Sequence, residues 1–247
     1  MPSMPVPLAE FAERKLGCAG TISAADRLSP GLLQLRVSCP QPRKKRWQPG
    51  QEIEFRVGTR EFRHYNVLSY DPGADGSDGL LTVLIHLHGD GPGASWASTR
   101  GVGDEVIVLG PGKLLATPAG ERRLLLGDAS TLGTFAGMIA DAGPAADGAF
   151  LGAVEVDAAD VDAAAAVVPG LAVLPSGPAS GAEPGDALHD WLAMTIAERG
   201  PLPADAVYLL GHAQTIQRLR ATLRADTTLD RRAIVTKPYW STGKVGL

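Results

Sequence analysis

The chain of 247 residues is long enough for one large domain or two of ordinary size, each able to bury a core. Apolar residues make up 45% and charged residues 20%, which are ordinary globular values that argue against wholesale disorder. The formal net charge of −4 argues against a general nucleic-acid binder, because neutralising phosphates requires a surplus of Lys and Arg.

The first half of the sequence consists of short, alternating apolar runs separated by Gly, Pro and Asp. The runs are "GLLQLRVSC", "QEIEFRVG", "FRHYNVLSY", "GLLTVLIHLHG" and "DEVIVLGP". Spacing of this kind, with turn signals such as "DPGADGSDG", is typical of an antiparallel sheet or a small barrel. The stretch "GPGASWASTRG" interrupts the strands and favours one short helix. We therefore predict an antiparallel β-barrel domain over residues 1–117.

From about residue 121 the pattern changes to alternating strands and helices. Buried strands are predicted at "RRLLLG", "AFLGAVEV", "LAVLPS" and "AVYLLGH", with a last strand at "RRAIVTKPYW". Helices are predicted at "STLGTFAGMIADA", "DAADVDAAAAVV", "PGDALHDWLAMTIAER" and "AQTIQRLRATLRAD". This alternation predicts a parallel sheet wrapped by helices, in an α/β domain over residues 118–247.

The two cysteines and the N-terminus bear on where the protein acts. Cys18 and Cys39 lack the spacing of a metal site and are too few for a disulfide framework, so we expect two buried thiols in a reducing compartment. We expect no membrane span and no signal peptide, because no apolar run has the required length. The expectation is a cytoplasmic protein, acting as a monomer.

One predicted strand, "FRHYNVLSY", carries polar residues that packing does not require. Side chains alternate between the two faces of a strand, so Arg63 and Tyr65 point the same way, with Asn66 turned to the other side or engaging through its backbone. A guanidinium fork suits a phosphate, and a tyrosine ring can stack on a flat heterocycle. A diphosphate nucleotide with an aromatic ring would use both side chains. The alternative from these residues alone is a cross-strand pair on the surface.

The stretch "HGDGPGASWAS" (88–98) is rich in glycine and follows a strand of the same predicted barrel. Gly89, Gly91 and Gly93 let the backbone come close to a ligand. Ser95 and the amides around it would open a helix, whose N-terminus attracts anions. The sequence therefore places a diphosphate between Arg63 and the start of this helix.

Taken together, these motifs resemble those of a known family. The strings "FRHYNV", "LIHLHGDGPGASWAS", "GVGDEVIVLGPGK", "LLLGDASTLGTFAGMI", "VYLLGHAQTIQRLRATLR" and "KPYWSTGKVGL" occur in the order seen in siderophore-interacting proteins. Members of that family are flavin-dependent ferric-siderophore reductases related to ferredoxin–NADP reductase. The similarity covers roughly residues 18–247, and the turn around Gly89 and the closing motif are its most specific parts.

The resemblance implies an FAD site in the first half. Arg63 would contact the FAD pyrophosphate and Tyr65 would pack on the isoalloxazine. The residue after that tyrosine is normally Ser or Thr, placed to bond the flavin edge, and here it is Asn66. The other implied FAD contacts are His64, Leu87, His88, Gly89, Gly93, Ala94 and Ser95.

The resemblance also implies a nicotinamide site in the second half. Asp128, Ser130 and Thr131, in "GDASTLGTF", would approach NADPH or NADH at a helix N-terminus, and Gly211 and His212 would lie at the same edge of the sheet. The family proline of this turn is replaced by Gly133. Separately, the run "RKKR" with Arg46 indicates either a solvated loop or a patch that, with Lys237 and Lys244, attracts a negatively charged ferric siderophore.

We expect neither a catalytic side chain nor a bound metal. The flavin would carry the chemistry, and no Ser/His/Asp or Cys/His set is recognisable. His86 and His88 form a partial metal site at best, because no third ligand is visible.

The function expected from the resemblance is that of an FAD-dependent ferric-siderophore reductase supplied by NAD(P)H or a reduced ferredoxin. Two alternatives stay open. One is another flavin oxidoreductase of the same superfamily, and the other is a siderophore- or flavin-binding protein without turnover, which the Asn66 and Gly133 replacements suggest.

Overall fold

The computed structural model describes most of the chain. The described residues are 5–40, 47–48, 50–74, 77–89, 91–112, 115–116, 121–143, 148–177, 183–200, 202, 204–226 and 229–243. The chain divides into two compact units, one built mainly from residues 1–115 and the other mainly from residues 116–135 and 142–245.

The first unit is a closed barrel of six strands in the order β1-β2-β5-β4-β3-β6, and each neighbouring pair is antiparallel. This confirms the predicted barrel. Its strands are β1 (Gly17–Ser29), β2 (Leu32–Cys39), β3 (Glu52–Arg56), β4 (Phe62–Asp71), β5 (Gly79–His86) and β6 (Glu105–Leu109).

The alternating apolar pattern fills the barrel interior. In β2, Leu33, Leu35 and Val37 are buried, while the residues between them are only partly so. In β3 the same alternation buries Ile53 and Phe55. These side chains belong to one apolar cluster, so burial of one face of each strand holds the barrel together.

Two helices accompany the barrel, α1 (Val6–Leu16) and α2 (Pro92–Ser98). The predicted short helix is therefore present. The N-terminal helix was not anticipated; its Ala9 is buried with Phe62, and Glu13 pairs with Arg56 at 2.6 Å. In α2, Trp96 stacks on Phe55 with ring centroids 5.1 Å apart, which fixes this helix against the barrel core.

The second unit is a five-stranded sheet in the order β11-β10-β7-β8-β9, with every neighbouring pair parallel. Its strands are β7 (Arg123–Asp128), β8 (Phe150–Val156), β9 (Ala172–Pro175), β10 (Ala206–His212) and β11 (Ile234–Trp240). Its helices are α3 (Leu132–Ala142), α4 (Val161–Val167), α5 (Asp186–Arg199) and α6 (Ala213–Asp226). The predicted α/β class is confirmed.

The central strand β7 marks the point where the order of strands reverses. The chain continues from β7 to β8 and β9 on one side, then returns to the other side of β7 for β10 and β11. Ligands of such sheets bind outside the carboxyl ends of the strands at this switch point. The residues of interest in this unit are therefore those at and just after Asp128, where β7 ends.

Cys39 is buried, Cys18 is partly buried and both are free thiols. Within the part of the chain that the structure describes, no helix is both long and apolar enough to cross a membrane.

Candidate functional site

Arg63 and Tyr65 lie together beside the start of α2. A Cβ atom added at Gly93 would lie 2.9 Å from the Tyr65 hydroxyl oxygen and 3.2 Å from Cγ of Arg63. Such distances are shorter than ordinary contacts of a real Cβ, so glycine is what lets this backbone approach both side chains. The phenol, the arginine stem and the first turn of α2 therefore converge on one place.

The backbone just before this point borders open space among the described residues. A Cβ added at Gly89 or at Gly91 would meet no atom of the described residues within 4 Å. Gly89 has φ +58°, in the left-handed region that favours glycine, whereas Gly91 is extended with φ −68°. The turn thus has one end packed tightly on Arg63 and Tyr65 and the other end free to receive a ligand.

The Arg63 guanidinium is half-buried and only partly used within the barrel. Its Nη1 donates to the carbonyl oxygen of Phe62 at 2.8 Å, and no other described residue accepts a hydrogen bond from it. A guanidinium has five N–H donors in a fixed fork. The remaining donors can bind an anion, and partial burial strengthens that attraction relative to bulk water.

Tyr65 is held as a neutral phenol. Its ring packs against the barrel core, with its centroid 5.7 Å from that of Phe55. Burial raises the pKa of Tyr65, and the nearby positive charge of Arg63 opposes this only in part. The hydroxyl therefore keeps its proton at physiological pH and can donate a hydrogen bond.

This arrangement fits FAD. The group carries a pyrophosphate, which matches a guanidinium with free donors, and a flat ring system, which matches a tyrosine face. The open glycine turn leaves room for a ligand beside both. The assignment of Arg63, Tyr65 and Gly93 to FAD stays a prediction.

His64 and Asn66 lie on the face of β4 opposite to Arg63 and Tyr65, as strand alternation requires. The His64 ring lies 3.8 Å from Glu52 and 3.7 Å from Glu54 on the neighbouring strand β3. The Asn66 side chain donates to the carbonyl oxygen of Gly50 at 3.0 Å. Both side chains are therefore engaged away from Gly93.

The remaining predicted flavin contacts flank the glycine turn. Leu87 packs against the barrel core, and its N–H donates to the carbonyl of Gly31 at 2.8 Å. His88 is exposed, with its ring 5.1 Å from that of His86. Ala94 is half-buried and Ser95 is exposed, both in the first turn of α2.

In the second unit, Asp128, Ser130 and Thr131 form a closed turn at the end of β7. The Asp128 carboxylate accepts from the backbone N–H of Ser130 at 2.9 Å and from its hydroxyl. The buried Thr131 hydroxyl donates to the carbonyl oxygen of Asp128 at 2.7 Å. These three residues are brought together as the sequence indicated, but their polar groups bond to one another.

The same carboxylate bonds two neighbouring strands. Its Oδ2 atom accepts from the backbone N–H of His212 at 2.7 Å, at the end of β10, and from the Trp240 indole N–H at 3.0 Å, at the end of β11. The two aromatic rings stack with centroids 4.2 Å apart. Sequence reasoning placed His212 at this edge but missed Trp240 as its partner. The closing "KPYW" motif was the only signal.

The hydrogen bonds of His212 define its tautomer. The Thr215 hydroxyl donates to the Pro184 carbonyl at 2.7 Å, so it accepts from Nδ1–H of His212 at 2.9 Å. Nε2 then accepts from the Thr242 hydroxyl, also at 2.9 Å. Burial lowers the pKa of His212, and the charge of Asp128 opposes this only in part. The imidazole is therefore neutral and fixes the segment that follows β11.

The turn after β7 does not fit a dinucleotide diphosphate as it stands. A phosphate at a helix start is normally bound by backbone N–H groups, and here the Ser130 N–H is taken by Asp128. The Thr131 hydroxyl is likewise taken. A nicotinamide role for Asp128, Ser130 and Thr131 stays a prediction that this geometry does not favour.

Of the three predicted substrate contacts, Lys237 lies within the described residues. It is half-buried on β11, with Nζ 5.8 Å from the ring centroid of Tyr239. Arg46 and Lys244 lie outside the described residues.

Comparisons with known proteins agree with this division of the chain. Residues 34–115 match the family model of the siderophore-interacting FAD-binding domain, and residues 121–243 match that of the siderophore-interacting protein. No curated protein sequence matches the chain.

Solved structures of low sequence identity share the fold. The siderophore-interacting protein from Acinetobacter baumannii is 16% identical with a TM-score of 0.72, covering 92% of this chain and 91% of its own. The siderophore-interacting protein SipS from Aeromonas hydrophila is 21% identical with a TM-score of 0.67, covering 90% of this chain and 97% of its own. A ferredoxin NADP+ reductase from Neisseria gonorrhoeae, with bound FAD and NADP, is 17% identical with a TM-score of 0.65, covering 91% of this chain and 99% of its own.

A β-barrel followed by a parallel α/β sheet is the fold of the ferredoxin reductase-like class, and the barrel half matches an FAD-binding domain. Within this class, the two family matches together span most of the sequence. The chain belongs to the siderophore-interacting protein family.

Proposed function

We propose that the protein is an FAD-dependent ferric-siderophore reductase, which releases iron as Fe(II) using electrons from NAD(P)H or a reduced ferredoxin. The observation that carries the proposal is the convergence of Arg63, Tyr65 and Gly93, in a chain of the siderophore-interacting family.

The barrel residues would bind and orient the cofactor. The Arg63 guanidinium would pair with the pyrophosphate, and the neutral Tyr65 phenol would pack on the ring system without adding charge beside it. When bound, FAD accepts two electrons together and passes them on one at a time. No side chain needs to act as a nucleophile or general base.

The substrate would be a ferric siderophore. One electron converts Fe(III) to Fe(II), and hard oxygen ligands hold Fe(II) less tightly, so reduction releases the metal. Lys237, together with Arg46 and Lys244, would attract a negatively charged iron complex.

Asn66 favours a second candidate, a flavin-binding protein with little turnover. The resemblance places a Ser or Thr here to bond the flavin edge, whereas the Asn66 amide donates to Gly50 on the far face of β4. If this contact controls reactivity, Asn66→Ser will raise the rate of flavin reduction without changing FAD affinity. A rate equal to that of the wild type would show that Asn66 does not limit turnover.

The test begins with the visible spectrum of the purified protein, which we expect to show a flavin band or to gain one on incubation with FAD. Anaerobic bleaching of the flavin is then followed with NADH, NADPH and photoreduced ferredoxin in turn. Ferric hydroxamate and ferric catecholate complexes are added to the reduced protein, and Fe(II) is trapped with a coloured chelator.

The outcomes separate the candidates. Fe(II) release that outpaces reduction of quinones and free flavin supports a siderophore reductase, and the opposite ranking supports another flavin oxidoreductase. A flavin that stays oxidised with every donor, in a protein that still binds siderophore, supports the binding protein. A colourless protein that takes up no FAD would refute the proposal.

A further inference from the structure

The carboxylate of Asp128 occupies a complete anion-binding position at the carboxyl edge of the second unit. Four donors converge on it: the backbone N–H and hydroxyl of Ser130, the backbone N–H of His212 and the indole N–H of Trp240. They come from the turn after β7 and from the ends of β10 and β11. Such a set of donors, gathered from separate strands, is what a bound phosphate oxygen requires.

The backbone of β10 lies directly against one side of the carboxylate. Gly211, on β10, has φ +97°, and a Cβ added there would lie 2.3 Å from Oδ2 of Asp128. Only glycine therefore lets β10 lie so close to the carboxylate. A second anion cannot share this position, because the donors are used and the backbone is in contact.

A second carboxylate has the same arrangement on the neighbouring strand. Glu155, near the end of β8, is buried and accepts from the backbone N–H groups of Gly185 at 2.8 Å and Leu188 at 3.2 Å. These N–H groups belong to the start of α5. Two sets of backbone donors that could bind phosphate are therefore occupied by the chain's own carboxyl groups.

We infer that Asp128 is a specificity-determining residue that weakens the binding of nicotinamide dinucleotides at this edge, because its carboxylate takes the place of a phosphate. A diphosphate that approaches meets a negative charge and donors already bonded. The inference rests on the proposed function, and it biases the choice of electron donor toward one that needs no diphosphate contact here, such as a reduced ferredoxin.

The test is direct binding, with no flavin turnover. Calorimetric titrations with NADP+ and with inorganic phosphate compare the wild-type FAD-loaded protein with Asp128→Ala, which exposes the four donors. We expect wild-type binding to be weak, with a Kd near about 1 mM, and the variant to bind both ligands about tenfold more tightly. Added phosphate should also raise the melting temperature of the variant more than that of the wild type.

Asp157→Ala is the matched control. Asp157 follows β8 at the same edge and is exposed, with one hydrogen bond from the Ser176 hydroxyl at 3.2 Å. This variant removes the same charge without freeing the four donors, so its NADP+ affinity should change less than twofold. Equal tightening in both variants would overturn the inference, because general charge would then explain it.

Asp128→Asn provides a second variant if the alanine substitution prevents folding. It removes the charge and keeps the size, and we expect NADP+ to bind severalfold more tightly. Unchanged or weaker NADP+ binding in the folded variants would refute the role assigned to Asp128. Flavin content and Fe(II) release, measured separately, report on the reductase proposal, so the two ideas can fail independently.

Discussion

Replacing Gly93 with alanine tests the flavin site through its packing. The added methyl would lie 2.9 Å from the Tyr65 hydroxyl oxygen and 3.2 Å from Cγ of Arg63, so one of the two side chains must move. The tyrosine cannot yield freely, because its ring packs on the barrel core beside Phe55. The substitution therefore displaces the two side chains that we assign to FAD.

The magnitude follows from the size of the overlap. Inserting one methyl group into a packed site costs about 1–3 kcal/mol. If this cost falls mainly on the ligand-binding arrangement, the affinity for FAD decreases about 5- to 150-fold. The assay is titration of the FAD-free protein with FAD, followed by flavin fluorescence, with the melting temperature of the FAD-free protein measured alongside.

Two further variants serve as controls for the Gly93→Ala substitution. Gly91→Ala adds the same methyl group two residues earlier, where it meets no atom within 4 Å, and should leave FAD affinity within about twofold. Tyr65→Phe in the Gly93→Ala background removes the atom of closest approach and should recover part of the lost affinity. If Gly93→Ala and Gly91→Ala bind FAD equally well, the convergence at Gly93 is not the flavin site.

The remaining predictions concern single groups. Arg63→Lys keeps the positive charge but removes the forked guanidinium, so the FAD affinity measured by titration should fall about tenfold. An affinity equal to that of the wild type would contradict the pyrophosphate contact. Burial lowers the pKa of His212 in the folded protein below the ordinary imidazole pKa of about 6.5. The neutral His212 therefore stabilises the fold above pH 6.5, and this stabilisation is lost as the pH falls through the lower pKa of the folded protein. Urea unfolding should thus show lower stability as the pH falls below 6.5, and His212→Asn should flatten this dependence. Glu155→Ala leaves two buried N–H groups unpaired and should lower the free energy of unfolding by about 1–3 kcal/mol, whereas Glu198→Ala, exposed on α5, should change it by less than about 0.5 kcal/mol.

The fold could be predicted from the sequence because its signals are local. Alternating apolar residues and turn signals identify the barrel strands, and the change to strand–helix alternation identifies the parallel sheet. The period of two also places Arg63 and Tyr65 on one face of β4. The same rule puts His64 and Asn66 on the other face. Grouping all four around one ligand followed the family resemblance and not the geometry of the strand.

The polar centre of the second unit could not be predicted, because its contacts are distant in the sequence. The bond from the Trp240 indole to Asp128 spans 112 positions, and that from His212 spans 84. No periodicity connects such residues. The need for φ +97° and close contact at Gly211 gave no signal either, since it accompanies the register shift between Gly211 and His212 where β10 pairs with β11. The N-terminal helix was missed for a different reason, namely that its proline-rich start hides a short helix stabilised by tertiary contacts.

The two units differ in whether their hydrogen-bond donors are available to a bound anion. The barrel keeps a guanidinium that, among the described residues, bonds only to the Phe62 carbonyl, beside an open glycine turn, and we propose that it binds a diphosphate. The sheet edge instead fills its own donors with Asp128 and Glu155. If Arg63 and Tyr65 bind FAD as proposed, the chain would hold one dinucleotide in the barrel and offer few free donors to a second at the sheet edge. Electrons would then reach the flavin chiefly from donors that make brief or surface contact, which is consistent with a reductase that holds its cofactor and exchanges its partners.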